Sequence, residues 1–232
     1  MSVSATLHLR PHAEVAERVL LPGDPGRALR LAQQLLDSPR MLNHNRGLWG
    51  YSGAAADGEP LTIQSTGMGG PSAAIVVEEL IALGARRLLR VGTCGALARG
   101  LELGGLVIAD GVLAEDGASR ALGASGTLRP DPVLHEALRD AAGADATAGL
   151  VVSADLFYDP DAGRPARWIA AGALAVEMEA AALLTVAGRH GAAAACLLTV
   201  SDVVADRTRI GAEALEAAER ELGRIGAAAL AR

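Results

Sequence analysis

Aromatic side chains are scarce: two tryptophans, two tyrosines and one phenylalanine serve a chain of 232 residues. A core without large rings must be filled by small aliphatic side chains, and Ala, Leu, Val and Gly abound. That composition suits helices packed closely on a sheet, an α/β layered fold. Cysteine is nearly absent as well. Cys94 and Cys196 each lie in an apolar run, which excludes a disulfide framework or a zinc site and reads as buried, reduced thiols of a cytoplasmic protein. Positive charge is not in excess either, since the formal net charge is −6. A nucleic-acid backbone would find no basic surface, so any anionic ligand has to be held by a few local arginines. No apolar run is long enough to span a membrane, and Met1 to Arg18 carries charges and histidines where a signal sequence has an apolar core.

What is present has the rhythm of βα units. Apolar runs of strand length, Leu61–Thr66, Arg87–Gly92, Gly105–Ala109, Thr147–Ser153 and Ala193–Val200, alternate with longer segments. Helices are expected over Pro25–Asp37 with Asp24 as cap, Pro71–Gly84, Ala180–His190 with its stop at Gly191, and from Gly211 onward. Glu115–Pro132, rich in Gly, Ser, Asp and Pro, reads as a surface excursion. Neither a repeat nor a long linker divides the chain, so residues 1–232 are expected to form a single domain.

Four places join these elements to polar chemistry. Leu21-Pro22-Gly23-Asp24-Pro25-Gly26-Arg27 sets a strand end, a glycine, a cap and an arginine in one turn. Free backbone N–H groups and a guanidinium there both favour an anion. Read alone, the segment's default reading is a capped strand-to-helix turn with a solvated Arg27. Ser65 to Ser72 is a glycine turn in which the third glycine of a dinucleotide fingerprint would fall on Ser72, so that reading fails. Arg90-Val91-Gly92-Thr93 ends an apolar strand with a charge that is costly unless paired, and such strand ends are where open α/β sheets place ligands. Val176-Glu177-Met178-Glu179 and Ser201-Asp202 set carboxylates in apolar surroundings, where they have either partners or capping roles.

Together these pieces describe one site that holds an anion beside a polyol. The set Gly23-Asp24-Pro25-Gly26-Arg27, Thr66-Gly67-Met68-Gly69-Gly70-Pro71-Ser72, Arg90 to Ala96, Ser153 to Tyr158, Val176 to Ala181 and Ser201-Asp202 resembles the bacterial nucleoside phosphorylase family of purine and uridine phosphorylases. Six motifs in the family's order cover most of the chain. The resemblance implies a mixed, twisted central sheet flanked by helices, and inorganic phosphate as co-substrate with no cofactor and no metal site. It also implies a homo-oligomer, a hexamer built of dimers that complete each other's sites.

By match to the motifs, phosphate would be held by Gly23, Arg27, Arg90 and Thr93, and by Arg46 from a neighbouring subunit. The ribose would lie against Met68 and bond to Glu179, with the neighbour's His8 at its 5′-hydroxyl. The base would stack on Phe157 near Val176, Glu177 and Met178, with Ser201 and Asp202 at the purine's imidazole edge. Asp202 would then serve as general acid to the leaving base. A carboxyl group is mostly ionised near neutrality, so the role asks for help from its surroundings. The family's helix arginine corresponds to Arg220, with Arg207 and Arg209 as competitors.

The resemblance divides over the base. Gly69-Gly70-Pro71-Ser72 and Thr93 look like uridine enzymes, whereas Ser153–Tyr158 with Asp159-Pro160-Asp161 and the Ser201-Asp202 pair look like purine enzymes. Phe157 to Ala175 also lacks the glutamine that uridine enzymes use. The expectation is phosphorolysis of purine ribo- or deoxyribonucleosides. A uridine phosphorylase, a hydrolytic nucleosidase and a non-catalytic nucleoside-binding protein are the alternatives.

Overall fold

The computed structural model describes residues 6–232. Its strands are β1 (Arg18–Leu21), β2 (Asp37–Asn43), β3 (Gly50–Ala54), β4 (Pro60–Gln64), β5 (Arg87–Ala96), β6 (Leu106–Ala114), β7 (Thr127–Leu128), β8 (Ala146–Ser153), β9 (Ala173–Glu177) and β10 (Ala193–Val203). The helices are α1 (Pro25–Leu35), α2 (Gly70–Ala82), α3 (Gly117–Ala121), α4 (Pro132–Ala142), α5 (Arg164–Ala170), α6 (Ala180–His190) and α7 (Ala212–Leu230). All strands join one mixed sheet of order β10-β6-β8-β9-β5-β1-β4-β3-β2, with β7 on β6. Because β10 also pairs with β5, the first five strands of that path close into a ring.

Helices cover both faces. Val76, Val77 and Leu80 of α2 and Leu183 and Val186 of α6 pack with Leu88 and Leu198 on one side. On the other, Leu31 of α1, Leu134 and Leu138 of α4 and Leu222 and Ile225 of α7 meet Leu20, Leu89 and Leu197. Small aliphatic side chains fill both layers, as the shortage of aromatics requires. The fold is α/β, as expected.

Local chemistry sets the element ends that matter for function. Asp24 caps α1, its carboxylate accepting from the Arg27 N–H at 2.6 Å. Gly191 ends α6 in the left-handed conformation, at φ 66°. Strands β5 and β10 run further than their apolar runs, to Ala96 and Val203, because they pair with one another along their length. Arg90 therefore lies inside a strand and not at its end. Glu115–Pro132 is a largely exposed excursion, as expected, but an ordered one. It holds α3 and β7, and Asp116 and Ser119 are fully buried because the Asp116 carboxylate caps α3 and lies against Gly70 at the start of α2. Cys94 and Cys196 are buried and unpaired. Among the described residues no helix is long and apolar enough to cross a membrane.

Candidate active site

The ends of β1, β4, β5, β9 and β10 open on one cleft of about 1210 Å³. Gly23 and Arg27 line it from the β1–α1 turn, Met68 from the β4–α2 turn, and Arg90 and Thr93 from β5. Val176, Glu177, Met178 and Glu179 come from β9 and the turn into α6, Phe157 from the segment after β8, and Ser201 and Asp202 from β10.

At one end buried arginines meet buried carboxylates. Arg90 is 4 % exposed, and its Nε lies 2.7 Å from Glu177 and its Nη2 2.5 Å from Glu179. The third nitrogen, Nη1, is buried with no hydrogen-bond partner among the described residues. It stands 4.0 Å from where a Cβ on Gly23 would sit, so the free donor faces the glycine turn. A Cβ on Gly92 would come within 2.6 Å of the same guanidinium, which explains a glycine two residues after the arginine. Arg27 lies 2.7 Å from Glu219 of α7, and Glu219 also holds Arg30 at 2.6 Å.

Glu177 and Glu179 differ in what they leave free. The Glu177 carboxylate accepts from the Ser153 hydroxyl and from the N–H groups of Glu179 and Ala180 at 2.8 and 2.9 Å, besides facing Arg90. It is thus saturated by the start of α6, and its work is to hold Arg90. Glu179 accepts the Gly69 N–H at 2.5 Å, which joins it to the N-terminus of α2 and leaves lone pairs for a further donor. Burial raises the Glu179 carboxyl above the ordinary glutamate range, against the opposing pull of Arg90.

At the other end Ser201 donates to Asp202 at 2.8 Å and lies 3.2 Å from the Cys94 carbonyl. Adjacent strand residues normally face opposite ways. The pairing of β10 with β5 slips between Val200 and Asp202, and this irregularity lets both side chains serve one cleft. Asp202 sits over Gly95, where an added Cβ would come within 3.1 Å of its carboxylate.

Three of the expected site residues are not in this cleft. His8 is held through Nδ1 by Glu79 at 2.8 Å, and Arg46 is exposed with φ 59° in a short 3-10 turn. Arg220 stands in the middle of α7, half exposed and paired with Glu216 at 2.8 Å, so this conformation does not bring it to Asp202. The cleft is lined instead by Arg207 and Arg209, from the segment between Asp202 and α7. Both lack a carboxylate within 4.0 Å among the described residues, and the Arg209 guanidinium lies 5.6 Å from the centre of the Phe157 ring. Sequence reasoning did not find Glu219. Its partners Arg27 and Arg30 are remote in the chain, and a single glutamate in an amphipathic helix carries no local signal.

The phosphorylase superfamily family model matches residues 17–231. The chain belongs to the phosphorylase superfamily. Among similar superfamily members is a protein of an Exiguobacterium species named purine nucleoside phosphorylase DeoD-type, 39 % identical over 195 residues and 82 % of each chain. Another of that name, from Caldanaerobacter subterraneus, is 36 % identical over 215 residues and 90 % of each chain. Among solved structures, uridine phosphorylase from Vibrio fischeri superposes with a TM-score of 0.83 at 29 % identity, covering 93 % of this chain and 90 % of the other.

Proposed function

We propose that this protein catalyses the reversible phosphorolysis of purine ribo- or deoxyribonucleosides, giving free base and pentose 1-phosphate. One observation carries the reading: Arg27, Arg90 with its buried, unpartnered Nη1, Glu179 and Asp202 line a single cleft, a set of groups suited to phosphate, sugar and base in turn. The names of the superfamily relatives at 35–39 % identity support the purine assignment.

Phosphate binds between the Gly23 turn, Arg27, Arg90 and Thr93, with Arg46 supplied by a neighbouring subunit. Each charge-assisted hydrogen bond contributes about 1.5–3 kcal/mol. Glu179 accepts from the sugar hydroxyls, Met68 lies against the ring, and the neighbour's His8 reaches the 5′-hydroxyl. With Nδ1 held by Glu79, the Nε2 of His8 is the nitrogen offered outward. The base stacks on Phe157 beside Val176 and Met178, and Glu177 acts through Arg90. As the C1′–N9 bond breaks, its electron pair leaves with the purine and positive charge grows on the sugar, where phosphate stabilises it before bonding to C1′. Asp202, oriented by Ser201, gives its proton to N7. Positioned proton transfer of this kind contributes about 10²–10⁴ in rate. No step calls for a cofactor or metal. The protein works as a cytoplasmic, phosphate-binding homo-oligomer, a hexamer of site-sharing dimers, with no nucleic-acid or membrane partner.

Release of free base from inosine, guanosine, adenosine and uridine, each with and without phosphate, tests this. Phosphate-dependent release from purines is expected. Release from uridine alone would make the protein a uridine phosphorylase, and phosphate-independent release would make it a hydrolase.

A further inference from the structure

Arg209 is the residue opposite Asp202. Residues 201–210 form a hairpin closed by Ile210 N–H to the Ser201 carbonyl at 2.9 Å and Val203 N–H to the Thr208 carbonyl at 2.9 Å. Within it Asp202 and Arg209 are antiparallel bridge partners. The side chain of Arg209 crosses to the Phe157 ring, its guanidinium carbon 5.6 Å from the centroid, and among the described residues no carboxylate lies within 4.0 Å of it. We propose that Arg209 is a specificity-determining residue that reads the 6-substituent of the purine and selects 6-oxopurine nucleosides over 6-aminopurine ones. This rests on the phosphorolysis reading above.

The argument is one of edges and donors. On a purine, N7 and the 6-substituent are neighbours on the same edge. If Asp202 addresses N7, a residue held directly across the hairpin from it stands beside the 6-position. A base stacking on Phe157 displaces the guanidinium from the ring face toward that edge, a short move for a side chain already in contact with the ring. Guanidinium is donor-only, with five N–H groups and no acceptor. A 6-carbonyl completes its bonding, whereas a 6-amino group presents a donor to a donor. Arginine discriminates guanine in nucleic acids through this same O6/N7 edge. Arg220 cannot take this part from its place on α7, half exposed and paired with Glu216.

The test is the ratio of kcat/KM for inosine to that for adenosine, in the wild-type protein and in Arg209→Gln and Arg209→Ala, with phosphate KM and thermal unfolding measured alongside. Inosine should exceed adenosine by about ten- to a hundredfold. Gln, which both donates and accepts, should bring the ratio close to one chiefly by lowering the inosine value, and Ala should do so without a change in phosphate KM. Equal use of the two substrates by the wild type, or a ratio unmoved by both substitutions, would overturn the assignment while leaving phosphorolysis intact. Failure of the wild type to cleave any purine nucleoside would overturn the parent reading, and Arg209 with it.

Discussion

Glu79 anchors the segment around His8, beside the buried Leu9 side chain and the bonds that Asn43 and Asn45 make to Arg10 and His8. The backbone N–H groups of Leu7, His8 and Leu9 all donate to its carboxylate, as does the His8 ring, at 2.6–3.1 Å. Burial pushes this carboxyl up, but the hydrogen bonds from Leu9 and His8 outweigh it, and the net shift is downward. A folded-state value below the unfolded one gives stability that is whole above the unfolded value and lost as pH falls through the folded one. Wild-type stability in urea should therefore decline as the medium is acidified below about pH 4.3. Glu79→Gln should be less stable at neutral pH, by about 1–3 kcal/mol, and should lose this part of the acid dependence. An unchanged acid limb would remove the anchor role. Such a partner was not legible in the sequence, where His8 had only its likeness to a family segment. Arg90 was legible, because a charge inside an apolar strand must be paired or put to use. What the sequence could not reveal is that the pairs are Glu177 and Glu179, which the β9–α6 turn delivers from nearly ninety residues away.

Helix α7 illustrates what an element owes to its smallest residues. Gly226 faces the sheet, and a Cβ there would come within 2.9 Å of Leu20 and Val91 and 3.2 Å of Leu89, all fully buried. Gly188 of α6 is exposed, with nothing within 4 Å of the same position. The identical substitution should then have opposite signs. Gly188→Ala gains up to about 1 kcal/mol from helix propensity. Gly226→Ala carries an overpacking cost of about 1–3 kcal/mol that exceeds that gain. Chemical denaturation of the two variants decides it, and stabilisation by Gly226→Ala would show slack between α7 and the sheet. The elements that sequence foretold, α1, α2, α6, α7, β4, β5, β6, β8 and β10, are those with capping signals, helical spacing or uninterrupted apolar runs. Strand β2 was missed because Asp37-Ser38-Pro39-Arg40 reads as a turn, and only an edge position on the sheet tolerates it. The five-residue, Ala-rich β9 has too little contrast between faces for a period to emerge, whereas α4 does carry Leu134, Ala137 and Leu138 at helical spacing, a signal the expectations did not use.

At the scale of the whole molecule, the proposed sharing of sites between subunits becomes a question of assembly. His8 and Arg46 lie outside the cleft, and Leu7, Met41, Trp49, Met68 and Ile75 leave apolar surface exposed. If two subunits complete each other's sites, chains carrying Asp202→Asn and chains carrying Arg46→Ala, each inactive alone, should recover activity when allowed to exchange. In an equal mixture half of the dimers are mixed and each has one intact site, so roughly a quarter of wild-type activity is expected. No recovery in verified mixed oligomers would remove the shared site. Site residues within one chain could be read from motifs, whereas a site divided between chains depends on an assembly that no segment encodes locally.

The unpaired arginines at the cleft mouth have a chemical consequence. Every basic side chain other than histidine in this protein is an arginine, and no lysine occurs. Reagents that acylate side-chain amines therefore find no target, while dicarbonyl compounds that condense with guanidinium groups meet two that have no carboxylate partner among the described residues, Arg207 and Arg209, in the cleft lining. The protein can thus be labelled at its own entrance, and a bound nucleoside would shield the label's site.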